Sequence, residues 1–172
     1  MAPERPNWEE LREAFERYAR GRAELLEAIG VTGSNRDPLA EFSERLVAAL
    51  LDGELASNRV QRGWDLMSAG RRVQVKYLAN ASDEAWVNEH HVHVTADMDD
   101  YAIVFFEALL PVTVIVFACD RLLDIATALR KKHPNQETTL QLTRVNYRQL
   151  VVERDRFAEL GVRLFDLRSA LA

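Results

Sequence analysis

The amino-acid sequence predicts an α/β domain with a mixed central sheet flanked by helices, preceded by an N-terminal helical arm. Apolar residues recur at helical spacing up to about residue 53, and the later segments alternate with a period of two or are continuously apolar. The chain has 172 residues, 48% of them hydrophobic, which suits one core. We expect the arm and its loop at residues 1–36 and the main domain at residues 37–172.

The first two helices are predicted from their start and stop signals. Asn7 is followed three residues later by Glu10, which completes a capping box, and the helical spacing continues to Gly30. Asp37 precedes Pro38, and proline is tolerated in the first turn of a helix. A second helix is therefore expected from there to Gly53.

The strands are predicted from alternation and from apolar runs. Gly63–Met67 and Arg72–Leu78 flank a short turn, which is typical of a β-hairpin. Tyr101–Phe106 and Val112–Phe117 are almost continuously apolar, as central strands are. Between residues 120 and 167 we expect a helix, a short strand, one or two short helices and a last strand.

Charge and cysteine content exclude several classes of protein. A formal net charge of -5 argues against a surface that coats nucleic acid or anionic membrane everywhere, although not against one basic face. The single cysteine, Cys119, cannot form an intramolecular disulfide, and the first residues lack the apolar stretch of a secretory signal. The longest apolar stretch is interrupted by Glu107 and Pro111. We expect a cytoplasmic protein without a membrane partner.

Polar residues of the predicted hairpin share one face. Gln74 and Lys76 alternate with apolar residues, so they point the same way. A turn centred on Ala69 and Gly70 places Met67 opposite Arg72 and Asp65 opposite Gln74, on that same face. An acid, an amide and a lysine are therefore expected to lie close together.

The second helix offers another acid. Glu44 has apolar neighbours at helical spacing and is expected to face the core, whereas Glu41 looks solvent-facing. A buried carboxylate is costly unless it is paired or binds a cation. Together with a second carboxylate and an amide oxygen, Glu44 would form the oxygen-rich site that Mg²⁺ prefers.

These residues, in this order, resemble the PD-(D/E)XK nuclease superfamily, in particular restriction-endonuclease-like members with a Gln-x-Lys variant. The resemblance lies in the helical Glu44, the segment Gly63–Leu66 and the segment Val73–Lys76. Two positions depart from the family pattern. Trp64 stands where a proline is expected, and Gln74 stands where an acid is usual, which removes one negative charge.

The resemblance implies a fold with a restriction-endonuclease-like core and a role for each matching residue. Glu44, Asp65, Gln74 and the carbonyl of Val75 would bind Mg²⁺, for which Mn²⁺ can substitute, and Lys76 would be the motif lysine. The catalytic set is then Glu44, Asp65, Gln74 and Lys76.

The implied activity is Mg²⁺-dependent hydrolysis of DNA phosphodiester bonds by an endonuclease of restriction or related defence type. One metal site cuts one strand and a duplex has two, so a homodimer is expected. A methyltransferase or another defence-system protein is the expected further partner.

Positive charge is concentrated near the expected site. Five arginine and lysine residues lie between Asn58 and Tyr77, against Asp65 alone, and such a cluster suits a phosphate backbone. The candidate DNA-binding residues are Asn58, Arg59, Arg62, Arg71 and Arg72.

Two other functions stay open. The first is a non-catalytic nucleic-acid-binding or assembly protein that keeps the nuclease fold, which Gln74 favours. The second is a soluble interaction module, in which the polar face of the hairpin has no catalytic role. Alternation also places His91 and His93 on one face, as in a zinc pair, although exposed histidines beside an acidic loop are the preferred interpretation.

Overall fold

A computed structural model describes residues 7–57, 63–79, 90–131 and 138–168 of the protein. The chain divides into two compact units, Met1–Phe42 and Ser43–Ala172. The second helix, α2 (Pro38–Leu51), contains the division.

The first unit begins with α1 (Trp8–Ala28), whose predicted capping box is present. The Glu10 backbone N–H donates to Asn7 Oδ1, and the Asn7 backbone N–H donates to Glu10 Oε2, both over 3.0 Å. At the other end Gly30 has a φ of 73°, and the Val31 N–H donates to the Leu26 carbonyl at 2.8 Å. This positive φ favours glycine and ends the helix where the sequence predicts.

Glu41 corrects one prediction, because it is fully buried rather than solvent-facing. The Arg36 guanidinium lies 3.2 Å from its Oε1, and the Ser34 hydroxyl donates to the same oxygen at 3.4 Å. Arg22 in turn donates to the carbonyl oxygens of Ser34 and Arg36 at 2.7 and 3.0 Å. The loop before α2 thus supplies the partners of the buried Glu41 carboxylate, Arg36 and Ser34. Helical periodicity within α2 cannot reveal such contacts.

The second unit contains a mixed six-stranded sheet. Its strands are β1 (Glu54–Leu55), β2 (Leu66–Ser68), β3 (Arg71–Leu78), β5 (Asp100–Glu107), β6 (Leu110–Ala118) and β8 (Val162–Asp166). They follow the order β1-β2-β3-β5-β6-β8, in which only β3 and β5 pair in parallel. The α/β class and the mixed central sheet are confirmed.

The remaining elements surround this sheet in sequence. β4 (His90–His93) pairs with β7 (Thr139–Leu142) in a separate two-stranded sheet. The helices are α3 (Leu122–Ala128), α4 (Arg144–Val152) and α5 (Arg154–Ala158), and a 3-10 turn at Cys119–Arg121 precedes α3. No helix within the described ranges is long and apolar enough to cross a membrane.

The β2–β3 hairpin has the predicted register, with Met67 opposite Arg72. Its turn residues Ala69 and Gly70 have φ values of 48° and 75°, the left-handed conformations of a tight hairpin turn. Strand β2 begins only at Leu66, so the predicted start of this strand at Gly63 is wrong. The chain bends at Gly63, whose φ is 98°, and a Cβ there would lie 2.6 Å from the Cβ of Asp97, so this position requires glycine.

The central strands β5 and β6 are buried on both faces, which explains their continuous apolar sequence. One face belongs to a buried cluster that also includes Leu122 and Ile125 of α3 and Leu150 of α4. On the other face Ala102 and Val104 are fully buried as well. The core therefore lies on both sides of β5 and β6.

Candidate active site

Asp65 lies directly before β2, where its backbone is held by hydrogen bonds. Its N–H donates to the Val73 carbonyl, and the Ala56 N–H donates to its carbonyl, both over 2.8 Å. Its Oδ2 accepts the Val75 backbone N–H at 2.7 Å and also accepts the side-chain amide of Gln74. The carboxylate is therefore anchored to the neighbouring strand at two points.

The position of Asp65 follows from where β2 begins. Residues two apart in a strand direct their N–H and C=O groups to the same side, so Val75, like Val73, faces β2. Opposite Val75, however, β2 has not yet begun. The Val75 N–H therefore has no backbone partner in β2 and donates to the Asp65 carboxylate instead. The Val75 carbonyl points to the same side of β3.

Gln74 and Lys76 complete this polar face as the alternation predicts. Gln74 is half-buried, and its Nε2 lies 3.3 Å from the Val75 carbonyl oxygen in addition to its contact with Asp65. Lys76 is exposed, and it forms no ion pair with any residue that the structure describes. The structure thus brings Asp65, Gln74 and the Val75 carbonyl together, with Lys76 two residues further along the strand.

Glu44 is 8% exposed, so it is buried as its apolar neighbours predict. Among the described residues, however, no group of three or more His, Cys, Asp or Glu side chains could hold a metal ion. The oxygens that lie together belong to the Asp65 carboxylate and the Val75 carbonyl, and the Gln74 side chain contacts both through its amide nitrogen. Carboxylate and carbonyl oxygens fit Mg²⁺, which binds few protein carboxylates and keeps several waters, and a glutamine adds a third oxygen when its amide oxygen faces the ion.

Tyr101 is a neighbour of the site that the sequence did not reveal. It lies opposite Gln74 in the parallel pairing of β3 with β5 and is buried. Burial raises the pKa of its hydroxyl, and electrostatic interaction with Cys119 and Asp65 raises this pKa further. The hydroxyl therefore stays protonated. The position of Tyr101 beside Gln74 could be predicted only from the parallel register of β3 and β5.

Arg71, a predicted DNA contact, is engaged in an ion-pair cluster. Its Nε and Nη2 donate to the two oxygens of Asp100 at 2.9 and 2.7 Å. Arg163 approaches the same carboxylate at 3.0 Å, and the Asp100 side chain is only 4% exposed. This cluster joins the starts of β3 and β5 to β8.

Arg72 forms a second pair of the same kind. Its Nε and Nη2 donate to the two oxygens of Asp99, each at 3.0 Å, and its backbone N–H donates at 2.9 Å. These bonds lower the pKa of Asp99 to about 2. Asp99 and Asp100 thus offset two of the five positive charges counted near the site. Phosphate contacts by Arg71 and Arg72 stay a prediction.

Other candidates lie partly or wholly beyond what the structure describes. Asn58, Arg59 and Arg62 fall outside the described residues. The Nδ1 of His93 lies 3.4 Å from the Thr139 hydroxyl on the neighbouring strand, so this histidine has a polar partner within its own sheet.

No protein-family model matches this chain, and no curated protein matches its sequence significantly.

Proposed function

We propose that the protein is a Mg²⁺-dependent DNA endonuclease of restriction or related defence type. The observation that supports this most is the convergence of the Asp65 carboxylate, the Gln74 amide and the Val75 carbonyl beside Lys76. Oxygen donors next to an exposed cation are what phosphodiester hydrolysis requires, because both the metal ion and the phosphate must be held. This is also the arrangement that the resemblance implies.

Each residue has a distinct task in this proposal. Asp65, Gln74 and Val75 hold Mg²⁺, and Glu44 supplies a second carboxylate. When bound, the ion stabilises negative charge that develops on the phosphate oxygens. Lys76 places its ammonium group toward the phosphate, where it stabilises the same charge and positions the attacking water. The buried Tyr101 keeps its proton and therefore adds no further negative charge.

A non-catalytic nucleic-acid-binding protein is the second candidate. It is favoured by Gln74 in place of an acid and by the finding that the described residues contain no group of three or more His, Cys, Asp or Glu side chains that could hold a metal. Such a protein would bind DNA with a steep dependence on salt, because phosphate contacts release counterions. Plasmid nicking that requires Mg²⁺ distinguishes the two candidates.

Replacement of Lys76 tests the proposal directly. Lys76→Ala should lower the rate of Mg²⁺-dependent plasmid nicking about 100-fold, the usual effect of losing one group that stabilises transition-state charge. DNA affinity should fall only modestly, because one phosphate contact is a small part of an interface. Lys131→Ala, just beyond α3, is the matched control and should cleave like the parent. Equal rates for all three proteins would show that Lys76 is an ordinary surface lysine.

We further propose that a second copy of the chain covers α1. Four large apolar residues on this helix are 50 to 71% exposed, and their spacing of three, four and three residues is that of a coiled-coil seam. They are Trp8, Leu11, Phe15 and Tyr18. A dimer would bring two sites to one duplex.

The oligomeric state tests this proposal. The parent should be a dimer at micromolar concentration by light scattering, and Phe15→Glu should be a monomer because the charge interrupts the apolar row. Arg20→Ala, an exposed change on the same helix, is the control and should stay dimeric. A parent that is monomeric with and without DNA contradicts the proposal.

A further inference from the structure

The side-chain amide of Gln74 lies against two oxygens that the proposed function assigns to Mg²⁺. Its Nε2 contacts Asp65 Oδ2 and is 3.3 Å from the carbonyl oxygen of Val75. An amide NH₂ group has two protons and can donate to both oxygens. The orientation follows from chemistry, because the amide oxygen would be repelled by a carboxylate oxygen at contact distance.

The same orientation is incompatible with binding a metal through Gln74. Only the amide Oε1 has lone pairs for a cation, whereas the NH₂ group is a donor. In the observed conformation the NH₂ group engages Asp65 and Val75, so it competes with a cation for their oxygens. The donor and ligand orientations of Gln74 therefore exclude each other.

We propose that the Gln74 side chain blocks the metal site while no metal is bound. Without metal its NH₂ group holds the Asp65 carboxylate and the Val75 carbonyl, and Mg²⁺ binds only when the amide turns over to present Oε1. This inference rests on the proposed function for the identity of the cation. It adds a form of regulation, because metal affinity is set by competition with an internal hydrogen-bond donor.

Gln74→Glu tests the competition between the amide donor and the cation, and Gln74→Met provides the reference for the spectra. Gln74→Glu has no protons to donate and adds a negative charge, so it should bind Mg²⁺ about tenfold more tightly in calorimetry. Its carboxylate would repel Asp65 without metal, so its melting temperature in EDTA should be below that of the parent and should rise more on adding Mg²⁺. Gln74→Met is of similar size and can neither donate nor bind a cation. It serves to identify the Gln74 signal below.

The decisive experiment is a Mg²⁺ titration of the full chain, without nucleic acid, followed by ¹⁵N NMR of the glutamine side-chain amides. In EDTA the Gln74 protons should exchange slowly with water. On adding Mg²⁺ the Gln74 signal should shift saturably and its exchange should accelerate, while the signals of Gln141 and Gln149 stay unchanged. An unmoved Gln74 signal, with or without Mg²⁺ binding in calorimetry, overturns the inference.

The result is distinguishable from a failure of the proposed function. A parent protein that cleaves plasmid with Mg²⁺ while the Gln74 signal stays unmoved contradicts only the inference. A Gln74 signal that moves in a protein that never cleaves DNA supports the inference and contradicts the endonuclease proposal.

Discussion

Asp65→Asn should lower the rate of Mg²⁺-dependent DNA cleavage about 1,000-fold, because it removes the negative charge that attracts the cation. The variant should keep the fold. The asparagine Oδ1 can still accept the Val75 backbone N–H, which Asp65 Oδ2 accepts at 2.7 Å. The hairpin should therefore stay closed. Plasmid nicking measures activity, and urea unfolding of the same sample measures stability.

The choice of asparagine matters because the carboxylate also has a structural task. Asp65→Ala leaves the Val75 N–H without this acceptor, which costs about 1–3 kcal/mol. A loss of activity in the alanine variant would therefore be ambiguous. Asp155→Asn on α5, where the side chain is 98% exposed, is the matched control and should cleave normally. Parental cleavage by a folded Asp65→Asn protein would contradict the metal role of Asp65.

Asp100→Asn should destabilise the protein by about 3 kcal/mol, because the neutral amide loses charge-assisted bonds to two arginines at a buried position. The Asp100 side chain accepts from Arg71 at 2.7 and 2.9 Å and from Arg163 at 3.0 Å. The measurement is the free energy of unfolding in urea at neutral pH.

An exposed ion pair provides the comparison for Asp100. Asp124→Asn removes the partner of Arg121, in a pair whose side chains are about half exposed, and should change the free energy of unfolding by less than about 1 kcal/mol. Equal, small effects of the two substitutions would show that the buried cluster does not hold β3, β5 and β8 together.

Local signals predicted most of the fold. The capping box at Asn7, the turn at Ala69 and Gly70 and the apolar runs of β5 and β6 depend on neighbours within a few residues, and each is confirmed. The separate β4–β7 pair and the burial of Glu41 depend on how distant segments or loops fold back. Hydrophobic periodicity contains no information about such contacts.

The same distinction applies to the site. The Asp65–Gln74 contact followed from the hairpin register, because antiparallel pairing is fixed by a short turn. Two other features could be predicted only from the parallel register between β3 and β5. One is the position of Tyr101 beside Gln74, and the other is the pairing of Arg71 with Asp100 and of Arg72 with Asp99. Parallel strands are joined by a long connection, so their register cannot be read from one turn. The charge count around the hairpin therefore left out Asp99 and Asp100, which pair with Arg72 and Arg71.

We propose that the face formed by Asp65, Gln74 and Lys76 hydrolyses phosphodiester bonds with Mg²⁺. The most direct measurement is incubation of the purified parent chain with supercoiled plasmid across a Mg²⁺ titration, with EDTA as the blank and analysis of the ends produced. We expect nicked and linear products that increase with Mg²⁺, are absent in EDTA and carry 5′-phosphate and 3′-hydroxyl ends. Plasmid that stays supercoiled at every Mg²⁺ and Mn²⁺ concentration, although the chain is folded and binds it, would show that the protein is not an endonuclease.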